Sequence, residues 1–167
     1  RYKEQWLNLP ATWAKKENFH LTVVFLGNTS EQELIPIISA VQAVANTHSA
    51  FDLAVSKIVY GPLPERPSMI WAMITPSPEL QSLQKDLERT LAASDEISFT
   101  GERRAFSPHL TLARLKQMEF NRLEVEERPE VNEDILLSFP VSSVEIMESN
   151  ITRTGAEYTT LQSIPLL

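Results

Sequence analysis

Three histidines occur in the chain, and two of them stand in the same short frame: His20-Leu21-Thr22-Val23 and His109-Leu110-Thr111-Leu112. An imidazole with an ordinary pKa of about 6.5 can give or take a proton near neutrality. On a β-strand, residues i and i+2 share a face. His20 would then stand beside Thr22 and His109 beside Thr111, with Leu21, Val23, Leu110 and Leu112 turned the other way. Two imidazoles and two hydroxyls brought around one phosphate suit phosphoryl transfer. One imidazole takes a proton from the nucleophile and the other gives one to the leaving oxygen. The hydroxyls donate to the non-bridging oxygens, where charge builds. His20 and His109 are therefore candidate catalytic residues, and Thr22 and Thr111 candidate substrate-binding residues.

One His-x-Thr frame alone is usually a satisfied strand histidine; the repetition carries the functional reading. A zinc site is the rival, but the chain has no cysteine and neither frame carries Asp or Glu to complete a ligand set. No metal or other cofactor is expected. His48, at the end of a predicted helix, reads as a cation near a helix C-terminus.

The 167 residues are 43% hydrophobic and 22% charged, ordinary for a globular protein, with a net charge of −7. That sign argues against tight nonspecific binding of long nucleic acid, whose affinity rests on neutralising phosphates. A short strand end held in a locally basic cleft is compatible with it. No stretch of 18 apolar residues is present. The lack of cysteine fits an intracellular, cytoplasmic protein, and a monomer is expected.

These residues need a scaffold. Residues 19–26 read as a strand closed by Gly27. Ser30 with Glu33 forms a capping box that opens a helix over about 31–47. Residues 51–61 and 69–75 read as strands. Ser77 and Pro78 start a helix over 78–92, with Leu80, Leu83, Leu87 and Leu91 on one face. A strand begins at His109, a polar connection fills 116–135, and strands over about 141–149 and 157–164 close the chain. Residues 1–9 read as the end of a helix. Helix, loop, His-Leu-Thr strand and later strands occur twice. The repeat predicts an α+β fold: one domain over 1–167, built of two similar lobes facing each other across an active-site cleft. Each lobe would carry a mostly antiparallel sheet with helices outside and present one histidine. The strand due ahead of the first helix is missing, so a further segment is expected before Arg1.

The two frames, 89 residues apart, resemble the two-histidine phosphoesterase superfamily. More narrowly, the chain is similar to the RNA 2′,3′-cyclic phosphodiesterases, also called the 2′-5′ RNA ligase family. Trp13 to Gly27 (WAKKENFHLTVVFLG), Arg104 to Arg114 (RAFSPHLTLAR) and the segment around Trp71 carry the likeness. The resemblance implies a bilobed fold without metal. It also implies opening of a 2′,3′-cyclic phosphate at an RNA end to leave a 2′-phosphate, with tRNA fragments among the substrates. By family pattern His20 would be the proton donor and His109 the acceptor. Family members open with a strand of the kind R-x-F-x-A-I, which this chain lacks.

Lys15, Lys16, Arg103 and Arg104 flank the frames and can hold phosphate or serve as solvated charges. Phe106 and Trp71 can stack on a base, though core packing is the better reading. Arg114 is an odd step from His109, so simple alternation turns it to the opposite face; only a bulge would return it. Two other functions fit the residues: a phosphodiesterase for a small cyclic nucleotide or nucleotide-sugar cyclic phosphate, and a non-catalytic module that binds phosphate ends.

Overall fold

Both long helices start where their capping residues require. In the computed structural model, which describes residues 4, 6–102, 104–152 and 155–167, helix α1 spans Glu31–Ala45. Ser30 backbone N–H and hydroxyl both donate to the Glu33 carboxylate, at 2.8 and 2.6 Å. The other Glu33 oxygen accepts from Ser98 N–H at 2.7 Å. These bonds satisfy donors that an uncapped helix would leave open. Together they hold the Glu33 carboxyl down at about 2, with the Ser30 hydroxyl the largest cause. Helix α2 spans Pro78–Ala92; the Ser77 hydroxyl accepts from Leu80 N–H, and Pro78 occupies the first turn, where its missing N–H costs nothing.

The fold is α+β with antiparallel sheets. A five-stranded sheet has the order β1-β4-β3-β2-β5, with β1 Ala11–Trp13, β2 Phe51–Gly61, β3 Met69–Ile74, β4 His109–Leu115 and β5 Asn132–Val141. A second sheet pairs β6 Ser143–Thr152 with β7 Gly155–Pro165. A short helix α3, Gln117–Phe120, follows β4.

The chain divides into two compact units. The first comprises Arg1–Leu21, Ala54–Thr75 and Pro108–Leu137. One face of its sheet is packed: Ile58, Ile70, Ala72, Ala113 and Leu115 are buried there, and Trp6, Phe120 and Val131 are buried in the same unit. Burying such side chains contributes about 1.5–3 kcal/mol each. Truncating Ile70, fully buried in the middle strand, to Ala would cost about 2–5 kcal/mol. The second unit comprises Thr22–Leu53, Pro76–Ser107 and Ser138–Leu167. Its core joins Ile37, Val41, Val44 and Ala45 of α1 to Leu83, Leu87 and Leu91 of α2 and to Ile146 and Ile164 of the β6–β7 pair. The leucine stripe read from the sequence is the face α2 buries.

Four expectations change. Residues 19–26 form no continuous strand: Leu21 makes one isolated antiparallel bridge, to Leu110. Val23, Val24 and Leu26 pack instead, half-buried, against the core of the second unit. The connection over 116–135 is shorter than expected, because β5 starts at Asn132 and its polar, exposed residues disguise it. His48 is not simply a helix-end cation; its Nε2 meets Asp86 Oδ2 of α2 at 2.9 Å and ties the start of the following segment to that helix. The histidines are not divided between two lobes, since His20 and His109 both belong to the first unit. Of the helix expected over 1–9, residues 1–3 and 5 lie outside the described residues, as does Arg103.

Candidate active site

The Leu21–Leu110 bridge places the two frames side by side. In antiparallel pairing it sets His20 opposite Thr111. Leu21 and Leu110 then share the packed face, next to buried Ala72, and His20, His109 and Thr111 share the other. Diagonal neighbours on adjacent antiparallel strands lie about 7–8 Å apart. That spacing admits one phosphoryl group between His20 and His109, with a hydrogen bond on each side. Thr22 follows Leu21 and is the first residue of the second unit.

His20 is oriented from below. Lys16–Asn18 form a 3-10 turn, in which Asn18 N–H donates to Lys15 C=O and Phe19 N–H to Lys16 C=O. The turn presents the Asn18 carbonyl 2.8 Å from His20 Nδ1. Nδ1–H donates there, which fixes the tautomer and the plane of the ring. The Glu-Asn-x-His spacing in the sequence is thus a turn that aims an imidazole. Lys15 and Lys16 are exposed on it. Trp13 works away from the histidines. It pairs with Ala113 on the packed face and stacks on Trp6 at 6.3 Å.

His109 is oriented from the side. Met73 pairs with His109 and Trp71 with Thr111, so the β3 side chains share the face of the second frame. The Trp71 indole stacks on the His109 imidazole, with ring centroids 3.7 Å apart and planes 21° from parallel. This imidazole contact is a role for Trp71 that its sequence context does not show. Its Nε1–H donates to Met69 Sδ at 3.3 Å, and the Thr111 hydroxyl lies 4.0 Å from the same sulfur.

Between Ile70 and Trp71 the β3–β4 register shifts: Trp71 pairs with Thr111 but Ile70 with Ala113. Leu112 is the extra residue. Two residues on one strand then oppose one on the other, and alternation beyond them is inverted. Ala113 and Leu115 are buried on the packed face, whereas Arg114 pairs with Met69 and with Thr12 and is exposed on the face of the histidines. Simple alternation predicts the opposite. The only sequence signal is the arginine trailing the second frame. Arg104 is spent on Glu102, which it meets at 2.9 Å, and Phe106 is half-buried.

Comparison with known proteins identifies the class. The sequence matches the 2′-5′ RNA ligase superfamily over residues 8–151, and the chain belongs to that family of two-histidine phosphoesterases. Among curated relatives it is 29% identical over 161 residues to a protein of Geobacillus stearothermophilus named RNA 2′,3′-cyclic phosphodiesterase, covering 93% of this chain and 48% of that one. It thus spans about half the length of that relative. It is also 29% identical over 157 residues to a protein of the same name from Aeropyrum pernix, covering 93% of this chain and 86% of the relative. Solved structures share the fold. A Thermus thermophilus protein, TT0787, superposes with a TM-score of 0.78 at 24% identity, over 94% of this chain and 82% of its own. E. coli LigT complexed with 3′-AMP superposes with a TM-score of 0.69 at 23% identity, over 99% and 87%.

Proposed function

We propose that the chain hydrolyses 2′,3′-cyclic phosphates at RNA ends. The observation that carries this is the pairing of the two His-x-Thr frames at the Leu21–Leu110 bridge, in a chain whose relatives bear the name of that activity. Water attacks phosphorus while His109 takes its proton. The bond from phosphorus to the 3′ oxygen breaks, and His20 delivers a proton to that oxygen. The products are a 3′-hydroxyl and a 2′-phosphate monoester. The Asn18 carbonyl holds the His20 ring by Nδ1 and so aims it. Thr22, Thr111 and Arg114 supply donors to the non-bridging oxygens. The proton transfers need no metal, and RNA ends, tRNA fragments among them, are the substrates.

Product analysis on an RNA oligomer ending in a 2′,3′-cyclic phosphate, run in EDTA, tests the reading. The expected result is a 2′-phosphate end formed at an undiminished rate. A 3′-phosphate product would overturn the bond assignment, and loss of turnover restored by zinc or magnesium would overturn the two-imidazole mechanism. The net charge of −7 favours a smaller substrate. A 2′,3′-cyclic mononucleotide turned over faster than the oligomer would move the assignment there. Tight binding without product would make the chain a phosphate-end binding module.

A further inference from the structure

Trp71 lies on the middle of three strands and touches both flanking ones. On β4 its ring stacks on His109. On β2 it lies against Gly61, where an added Cβ would fall within the indole itself. Gly61 is buried and has no positive φ, so the position requires room for a ring rather than a special backbone. The Nε1–H bond to Met69 fixes the rotation of the indole. In the sequence, Gly61 reads only as the end of a strand.

We propose that Trp71, seated on Gly61, is the positioning residue for His109: its face sets the plane of the imidazole and holds the charge that arrives with the proton. This rests on the phosphodiesterase reading, in which His109 ends its step as an imidazolium. A cation over an indole face is stabilised by the ring's quadrupole. Charged or titratable groups on this face include His20 across the bridge, Arg114 further along β4, and Lys57, which pairs with Met73 on β2 and meets the Asp134 carboxylate of β5 at 3.9 Å. Positive charge on His20 or Arg114 opposes protonation of His109, whereas that of Lys57 is met by Asp134. The indole offsets that opposition with no carboxylate against the imidazole itself, where one would repel a phosphate.

The test follows the histidine ring signals of the full chain by NMR as pH is varied, with His48 as an internal control. No substrate is present, so failure here is distinguishable from failure of the phosphodiesterase reading. Trp71→Leu is expected to lower the pKa of His109 by about half a unit or more and leave the His48 titration where it is. Trp71→Phe, which keeps an aromatic face, should recover at least half of that shift. Gly61→Val, which displaces the indole while keeping it, should move His109 in the same direction as Trp71→Leu. In turnover assays the Trp71→Leu loss should fall on kcat rather than KM. A His109 pKa unchanged or raised in Trp71→Leu would overturn the proposal; if that variant does not fold, the same result in Gly61→Val would overturn it.

Discussion

Leu21 and Leu110 form a single antiparallel bridge, and that one pair sets His20 beside His109, which the β3–β4 ladder holds. Neither leucine does chemistry. Their side chains occupy the packed face, and the neighbours on either side of each are thereby committed to the other face. A one-residue slip at this pair would turn a histidine inward.

Replacing either imidazole should disable the reaction without unfolding the chain. His20→Ala and His109→Ala are each expected to reduce turnover by about 10²–10⁴-fold. Thr22→Ala and Thr111→Ala should cost less, since each removes one donor and leaves acid and base in place. Steady-state rates, with circular dichroism as a check on folding, measure this. A His109→Ala enzyme as fast as the parent would refute the pairing.

The division of labour between the histidines is open to a leaving-group experiment. Rate against pH should be bell-shaped, one imidazole charged and the other neutral, but the limbs belong to the pair. A cyclic substrate whose 3′ oxygen is replaced by sulfur needs little protonation on departure. His20→Ala should regain much of its rate on that substrate, and His109→Ala should not. The reverse pattern would exchange the roles.

Arg114 should matter for binding. Its guanidinium is exposed on the histidine face because of the bulge at Leu112. Loss of a charge-assisted hydrogen bond to phosphate costs about 1.5–3 kcal/mol, so Arg114→Ala should reduce kcat/KM by roughly 10–100-fold, with Arg114→Lys intermediate. Unchanged kinetics in Arg114→Ala would remove the residue from the site.

Stability toward acid should depend on Glu33. Its carboxyl ionises at about 2 in the fold against an ordinary value of 4.5. A depressed carboxylate stabilises the fold fully above the unfolded pKa, and that stability is lost as pH falls from there through the folded one. Glu33→Gln should therefore be less stable than the parent at pH 7, and the gap should close between pH 4.5 and 2. Urea unfolding at several pH values gives the result; a gap independent of pH would show that the carboxylate charge is not what caps the helix.

What can be read from the residues is what depends on near neighbours. Ser30 with Glu33 and Ser77 with Pro78 mark helix starts within a few positions, and His-x-Thr defines a face within three. What cannot be read depends on a partner strand. Alternation turns Arg114 the wrong way because a bulge is a property of two strands, visible only once β3 and β4 are in register. The Trp71–His109 stack joins residues 38 positions apart. The β-branched run at 19–26 has strand composition, but a ladder needs an opposite edge. β5 escapes a sequence reading because Asn132, Glu133 and Asp134 carry the polarity of a connection at the rim of a sheet.

An antiparallel bridge carries a local dyad. A half-turn about the axis through the Leu21–Leu110 pair exchanges one frame with the other and His20 with His109. Taken alone, the two frames have no sense of direction, and a phosphate set between them would meet the same groups whichever end it entered by. The surroundings break the equivalence: a carbonyl meets one ring, that of Asn18, while an indole, that of Trp71, and Arg114 accompany the other. The asymmetry of this site is thus a property of what surrounds the two frames.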